Sequence, residues 1–466
     1  MASSRDLDRI EETGDGLADL RASVTTWFDV RRARDVRRQY WTQLAALERV
    51  LQPGIARVQD DVDKIRRLPR TGDVHAACRR NDRRVHLLDR YWRYFGDKWD
   101  QRDDKEVGLT LLAADEVTWS CWATPFNVSG TTVAPAPLPY LEPFYTPRAI
   151  PRTKPPADVQ RADALLRSAL ETLPLPVTGL PPVVHSRPWW LASLAHENGH
   201  HLQRDFAGGS IYTSLGAVLE IAARADAEPA SWRGWHEEIF ADACSVLWLG
   251  PSAAVATAEM LQTADALMLA EDDTYPSVVV RQRLMEQMLA DAACQREASV
   301  PAFRPDSLAD FELDPTDEPL RTRARTRLDV VKPVAGELMR RAMDGDTSLP
   351  ALCDWAADRY AGDGEVAFWR DELLRDGKDP LPETEPHTAR TALAGGVAAW
   401  QAIAAHKDAV WRADARHRLA ARMTSLLPLC RPEGRRGGGE PSLPNVTAAD
   451  AALAAVLFGD ELQADP

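Results

Sequence analysis

The 466-residue chain reads as a mainly α protein with a small β component, an α+β fold. Three observations predict it. Long stretches space apolar residues three and four apart, the period of an amphipathic helix. Residues 125–156 are rich in Pro and Thr and lack that period. Residues 174–188, "PLPVTGLPPVVHSRP", supply short apolar runs between prolines, which read as extended chain.

The elements follow in order. From about residue 17 to 124 the pattern is helical: "LADLRASVTTWFDV" and "YWTQLAALERVLQ" predict two helices, with Pro53-Gly54 expected to break the run. "VHLLDRYWRYFGDKW" continues it to an expected turn at Phe95-Gly96. Arginines crowd Arg31 to Arg38 and Arg79 to Arg90, interleaved with Asp and Glu, the pattern of a solvated helix face, with a docking patch for an acidic partner as the alternative. Residues 125–156 are either a linker or extended chain leading into a second domain. "ADVQRADALLRSALETL" (157–173) predicts a helix, and from Trp189 to about Val300 most of the chain reads as helix again. Helical pieces then fall near 331–343, 349–358, 364–375 and 388–425. A loop, "RPEGRRGGGEPSLP", precedes a short helix from Ala448. The expected organisation is a helical N-terminal domain (1–124), a Pro-rich linker or extended segment (125–156), a second domain (157–300) and a helical C-terminal region (301–466).

Composition bounds the function. A net charge of −14 and a pI near 5.3 argue against general binding to nucleic acid or to an anionic membrane. Six scattered cysteines without a CxxC pair read as reduced, buried thiols. No signal peptide and no apolar run of membrane-spanning length is visible, so the expectation is a cytoplasmic protein. The sequons at Asn127 and Asn445 then carry little meaning.

The chemistry is concentrated in "LAHENGHHLQ", Leu194 to Gln203. His196 and His200 are four residues apart, so a helix places both imidazoles on one face, one turn above the other. Two neutral imidazoles so placed can bind one Zn²⁺ ion. Glu197 falls about 100° round the helix from His196, where it can face water at the metal without ligating. This is HExxH, in which the glutamate serves as general base. Gly199 is expected to leave room beside the metal. His201, about 100° from His200, is expected to face solvent or a carboxylate.

A catalytic zinc site needs a third protein ligand and an open position. The metzincin pattern requires Gly three residues and His six residues after the second histidine; Gln203 and Phe206 stand there instead. The Gly-Thr-x-Asp run of the aspartate-ligand subclass is absent downstream. "WHEEIFADACSVLWLG" (Trp235 to Gly250) offers His236, Glu237 and Glu238, and only Glu238 has an Asp, Asp242, four residues on. Carboxylates on so apolar a helix are costly unless paired or bound to metal.

HExxH followed by Glu-x-x-x-Asp on a later helix resembles the gluzincins, the thermolysin-like clan of zinc peptidases, over residues 189 to 250. The resemblance implies a zincin-like catalytic domain with a small sheet. It makes His196, His200 and Glu238 the Zn²⁺ ligands, Glu197 the base, and Asp242 the carboxylate that orients a liganding imidazole. Some gluzincins carry a His-Pro with a downstream Arg near the site, where the histidine helps stabilise the oxyanion. Here "DDTYPSVVVRQRLM" puts Tyr275 in that place, and a phenol can donate the same hydrogen bond. The alternative is a turn residue packed on the core. Arg281 is expected to be structural, holding a buried carboxylate.

The expected function is hydrolysis of peptide bonds in a peptide or protein substrate. Residues 177–184 are expected to form an edge strand for substrate alignment. The alternatives are hydrolysis of a non-peptide amide, or a non-catalytic scaffold with a structural zinc. The helical flanks are candidate surfaces for a regulatory partner.

Overall fold

The computed structural model describes residues 4–35, 39–68, 71–153, 156, 159, 163–293, 308–375, 388–430 and 443–459. It is mostly helical with a small sheet, as the periodicity predicts. Four long helices open the chain: α1 (Ser4–Arg34), α2 (Trp41–Ile65), α3 (Thr71–Asp100) and α4 (Gly108–Ser129). Pro53 does not break α2, which runs through it, and α3 runs through Gly96 to Asp100. The reason is tertiary. Val50, Leu51, Ile55 and Val58 of α2 are all buried on the same core as Leu87, Leu88, Tyr91 and Phe95 of α3. Burial of that many side chains, at about 1.5–3 kcal/mol each, outweighs the roughly 3 kcal/mol cost of an interior proline.

Both arginine-rich stretches are laced to carboxylates among the described residues. Arg31 pairs with Asp100 and Asp103, the buried Arg84 with Asp61, and Arg90 with Asp163.

Residues 125–156 hold the end of α4 and two strands. Gly130, at φ 68°, closes α4 in the left-handed conformation that favours glycine. The sheet follows as β1 (Leu138–Leu141), β2 (Arg148–Ile150) and, past the short helix α5 (Ala164–Ala169), β3 (Val177–Leu180). Of the helix expected over 157–173, only the 164–169 portion is helical; 157, 158 and 160–162 lie outside the described residues. Strand order is β1-β3-β2, with β1 parallel and β2 antiparallel to β3. The expectation of an edge strand at 177–184 is therefore wrong: β3 is central and all four of its residues are buried. Its residues are covered on both faces and its two edges are both paired, the situation of a central strand.

After α6 (Val183–Ser186) and a 3₁₀ turn (Pro188–Ala192) come α7 (Ser193–Asp205), α8 (Ser210–Ala222), α9 (Pro229–Gly234) and α10 (His236–Leu249). Next are α11 (Pro251–Leu261), α12 (Asp265–Leu269), α13 (Val278–Asp291), α14 (Glu318–Asp329) and α15 (Val331–Arg340). A small hairpin, β4 (Ala342–Asp344) with β5 (Thr347–Ser348), leads into α16 (Leu349–Leu352) and α17 (Glu365–Leu374). The span expected as one helical piece over 388–425 is two helices, α18 (Ala389–Ala404) and α19 (Ala409–Leu426), because Asp408 caps a new start with its side chain. The loop 431–442 lies outside the described residues, and the last helix, α20, spans Leu443–Phe458.

Two large apolar cores result, with two smaller clusters beside them among the described residues. One gathers α1–α3, the sheet, α5 and α20; the other runs through α4, α7, α10, α13, α15 and α18. The chain's last helix thus packs on its first ones, α2 above all. Five cysteines are buried free thiols, and Cys294 lies outside the described residues. Among the described residues no helix is long and apolar enough to cross a membrane.

Candidate metal centre

α7 and α10 pack directly on each other, and their crossing sets the site. An added Cβ at Gly199 would lie 2.6 Å from the Cα of Ala241. The room Gly199 provides is therefore for α10, not for the metal. That close approach brings the acidic side of α10 against the histidines of α7.

Three side chains converge there. His196 Nε2 lies 3.0 Å from His200 Nε2 and 3.2 Å from Glu238 Oε2, and His200 Nε2 lies 3.4 Å from Glu238 Oε1. Metal–ligand bonds of about 2.0–2.1 Å in a tetrahedral site put ligand atoms about 3.3 Å apart. The three separations fall near that spacing, with the two histidine contacts made to different oxygens of Glu238, and two nitrogens with a carboxylate form a donor set suited to zinc. His196 and His200 are part-buried and Glu238 is buried.

Asp242, 1% exposed, orients the first of these ligands. Its Oδ1 lies 2.9 Å from His196 Nδ1, so Nδ1 donates there and the ring is held with Nε2 facing His200 and Glu238. Arg281 from α13 donates two bonds to Asp242, at 2.8 and 2.7 Å, and its third nitrogen lies 3.3 Å from Glu238 Oε2. The structural role expected of Arg281 is what the geometry gives it.

The electrostatics follow from this packing. Burial opposes ionisation of Glu238, but the His200 charge, hydrogen bonds from both imidazoles and Arg281 outweigh it and hold the carboxyl below its usual range. Burial likewise opposes the Asp242 carboxylate, and Arg281 with His196 overcomes it. For His196, burial favours the neutral ring; Asp242 and Glu238 prevail and push its pKa up to about 10.

Glu197 is different. It is 7% exposed, and it makes no hydrogen bond or ion pair among the described residues. Tyr275 is 48% exposed on the turn before α13, and its hydroxyl likewise has no hydrogen-bond partner there. Burial, then the charges of Glu238 and Glu197, raise the pKa of that phenol. Arg281 opposes that rise and Asp272 adds to it, so four charged groups act on the phenol.

The rival ligands point elsewhere. Glu237 takes a 2.5 Å hydrogen bond from Arg204, and Nδ1 of His236 lies 2.8 Å from the carbonyl of Arg233. The expectation for His201 is wrong: it is fully buried, with Nε2 3.0 Å from the hydroxyl of Thr178 in β3. α7 has the sheet on one side and α10 on the other, so a residue turned away from the metal meets β3 and not water. Burial accordingly pushes its pKa well below the ordinary histidine value. Thr178, Arg152 (paired with Asp205 at the end of α7) and the Gly199 crossing carry no sequence signal, since each acts through a partner remote in the chain.

Comparisons with protein-family models, with curated proteins and with solved structures each find no match.

Proposed function

We propose that this chain is a zinc-dependent peptidase with a zincin-like catalytic domain, in which His196, His200 and Glu238 hold the metal and Glu197 is the general base. One observation carries the reading: a carboxylate with no hydrogen bond or ion pair among the described residues stands one residue from two imidazole nitrogens and a carboxylate that approach one another to 3.0, 3.2 and 3.4 Å. A structural zinc site usually has four protein ligands and leaves no such carboxylate idle.

A zinc ion held there would supply Lewis acidity, polarising a carbonyl and acidifying water. Glu197 takes the proton from the attacking water and returns it to the departing amine, so one carboxylate serves as base and then as acid. Asp242 and Arg281 keep the His196 ring aimed while charge changes nearby. Tyr275 has a free hydroxyl to donate to the oxygen on which charge develops. β2 packs against α7 and pairs on one edge only among the described residues, which makes it, in place of β3, the strand open to an extended substrate.

The test is metal content combined with digestion of a peptide library. Purified protein should carry about one zinc per chain, lose activity to a chelator and regain it with zinc. Stoichiometric zinc with no cleavage of any peptide would favour hydrolysis of a non-peptide amide or a non-catalytic role.

A further inference from the structure

Tyr275 lies on an exposed connection between α12 and α13, yet its turn is tightly specified. The Asp272 carboxylate accepts hydrogen bonds from the backbone N–H groups of Thr274 and Tyr275, both at 2.7 Å, and the Asp272 N–H donates to the Tyr275 carbonyl at 3.0 Å. These bonds shape the turn without saying where it sits. Contacts from outside do that, a 3.8 Å approach of Arg323 Nε to the Glu271 carboxylate being the longest of them. Trp235 Nε1 donates to the Asp272 carbonyl at 2.7 Å, and the Glu271 carboxylate accepts two bonds from Arg327, at 2.8 and 3.3 Å. The fit is close: a Cβ added at Gly234 would lie 2.4 Å from the Asp273 carbonyl oxygen.

Arg327 comes from α14 and is 1% exposed. Besides Glu271 it donates to Asp226 and to Glu228, each at 2.7 Å, and its guanidinium lies 5.0 Å from the centre of the Trp235 ring. For stability alone, such a buried cation is a poor investment, because its desolvation offsets most of its attraction to the carboxylates. What the planar fork supplies is direction. It ties residues 226–228 and the 271–275 turn to one point beside Trp235, the residue that opens α10. Glu238 and Asp242 sit on α10, so the phenol and the metal ligand share one frame.

We propose that Arg327 is a positioning residue for Tyr275, fixing the turn so that the phenol faces the metal centre. This rests on the peptidase reading above. A lysine would keep the charge but lose the fork.

The experiment uses the full chain with Arg327→Lys and, as a second cut of the same link from the turn side, Glu271→Gln. Zinc content should be unchanged in both. Turnover of the peptide library should fall about tenfold, less than the loss of a whole oxyanion donor, with KM unchanged. Adding Tyr275→Phe should cost nothing further in either background, because the phenol is already misplaced. If Tyr275→Phe costs as much there as in the native chain, Arg327 acts independently of Tyr275 and the proposal falls. A fluorotyrosine in place of Tyr275 reads the turn without catalysis. Its fluorine NMR signal should shift with Glu197→Gln in the native background and lose that response in Arg327→Lys. An unaltered response overturns the proposal. If the native chain cleaves no peptide, the peptidase reading fails, and the fluorine signal still decides the role of Arg327. If Arg327→Lys does not fold, Glu271→Gln decides it.

Discussion

Two buried carboxylates in this molecule are treated in opposite ways. Asp115, on α4, is 6% exposed and fully satisfied: Arg102 donates two bonds to it, at 2.8 and 2.6 Å, and Tyr40 a third. Arg102 also reaches the Pro139 carbonyl at 2.8 Å, so the pair fastens the helices to β1. Glu197 is 7% exposed as a residue, and its carboxylate has no hydrogen bond or ion pair among the described residues. Pairing offsets the desolvation of the Asp115 carboxylate, whereas the fold supplies the Glu197 carboxylate with no such partner among the described residues. Burial of charge with full pairing marks a structural joint. A carboxylate left unpaired beside convergent donor atoms is what the proposed general base requires.

The sharpest way to break this contrast is to neutralise both. Glu197→Gln should lose activity by several orders of magnitude while keeping zinc and thermal stability, since the base goes and the ligands stay. Asp115→Asn should do the reverse, costing about 3 kcal/mol of stability with zinc content untouched. Turnover and melting temperature of the two variants decide it, and near-normal turnover in Glu197→Gln sinks the mechanism.

Next in size is the third ligand. Glu238→Ala should abolish tight zinc binding, because two imidazoles are a poor tetrahedral cage. Retention of native affinity on zinc titration would place the third ligand elsewhere. Asp242→Asn should weaken zinc by about 10–100-fold, since His196 loses its orienting acceptor and Arg281 its main partner.

A further sharpening comes from pH. In protein stripped with a chelator, the His196 pKa stands near 10, above the ordinary histidine value, so the ring holds a proton at neutral pH that metal must displace. Apparent zinc affinity should therefore rise with pH, about tenfold per unit for one displaced proton, until the pH passes that value. A pH-independent affinity between neutral and mildly alkaline conditions would contradict it. Smallest of all, Glu237→Ala should leave zinc affinity and turnover nearly native, because that carboxylate is engaged by Arg204. If it proves more damaging than Glu238→Ala, the two glutamates have exchanged roles.

Helical periodicity determined a good deal by itself. Once α7 and α10 are helices, the four-residue spacings of His196–His200 and Glu238–Asp242 each place two side chains on one face, and Glu237 and Glu197 turn aside. These are short-range consequences of a backbone repeating every 3.6 residues, and the structure keeps all of them. What lies opposite each face was decided only by tertiary packing. β3 covers His201; neighbouring helices hold α2 straight through Pro53 and α3 through Gly96; β1 and β2 flank β3 and take its edges. Arg281 and Arg327 reach carboxylates 39 to 101 residues away, and no local pattern encodes such partners. The physical reason is range. Dihedral preference and side-chain spacing act within a turn or two, whereas burial and pairing depend on surfaces that meet only after the chain has folded.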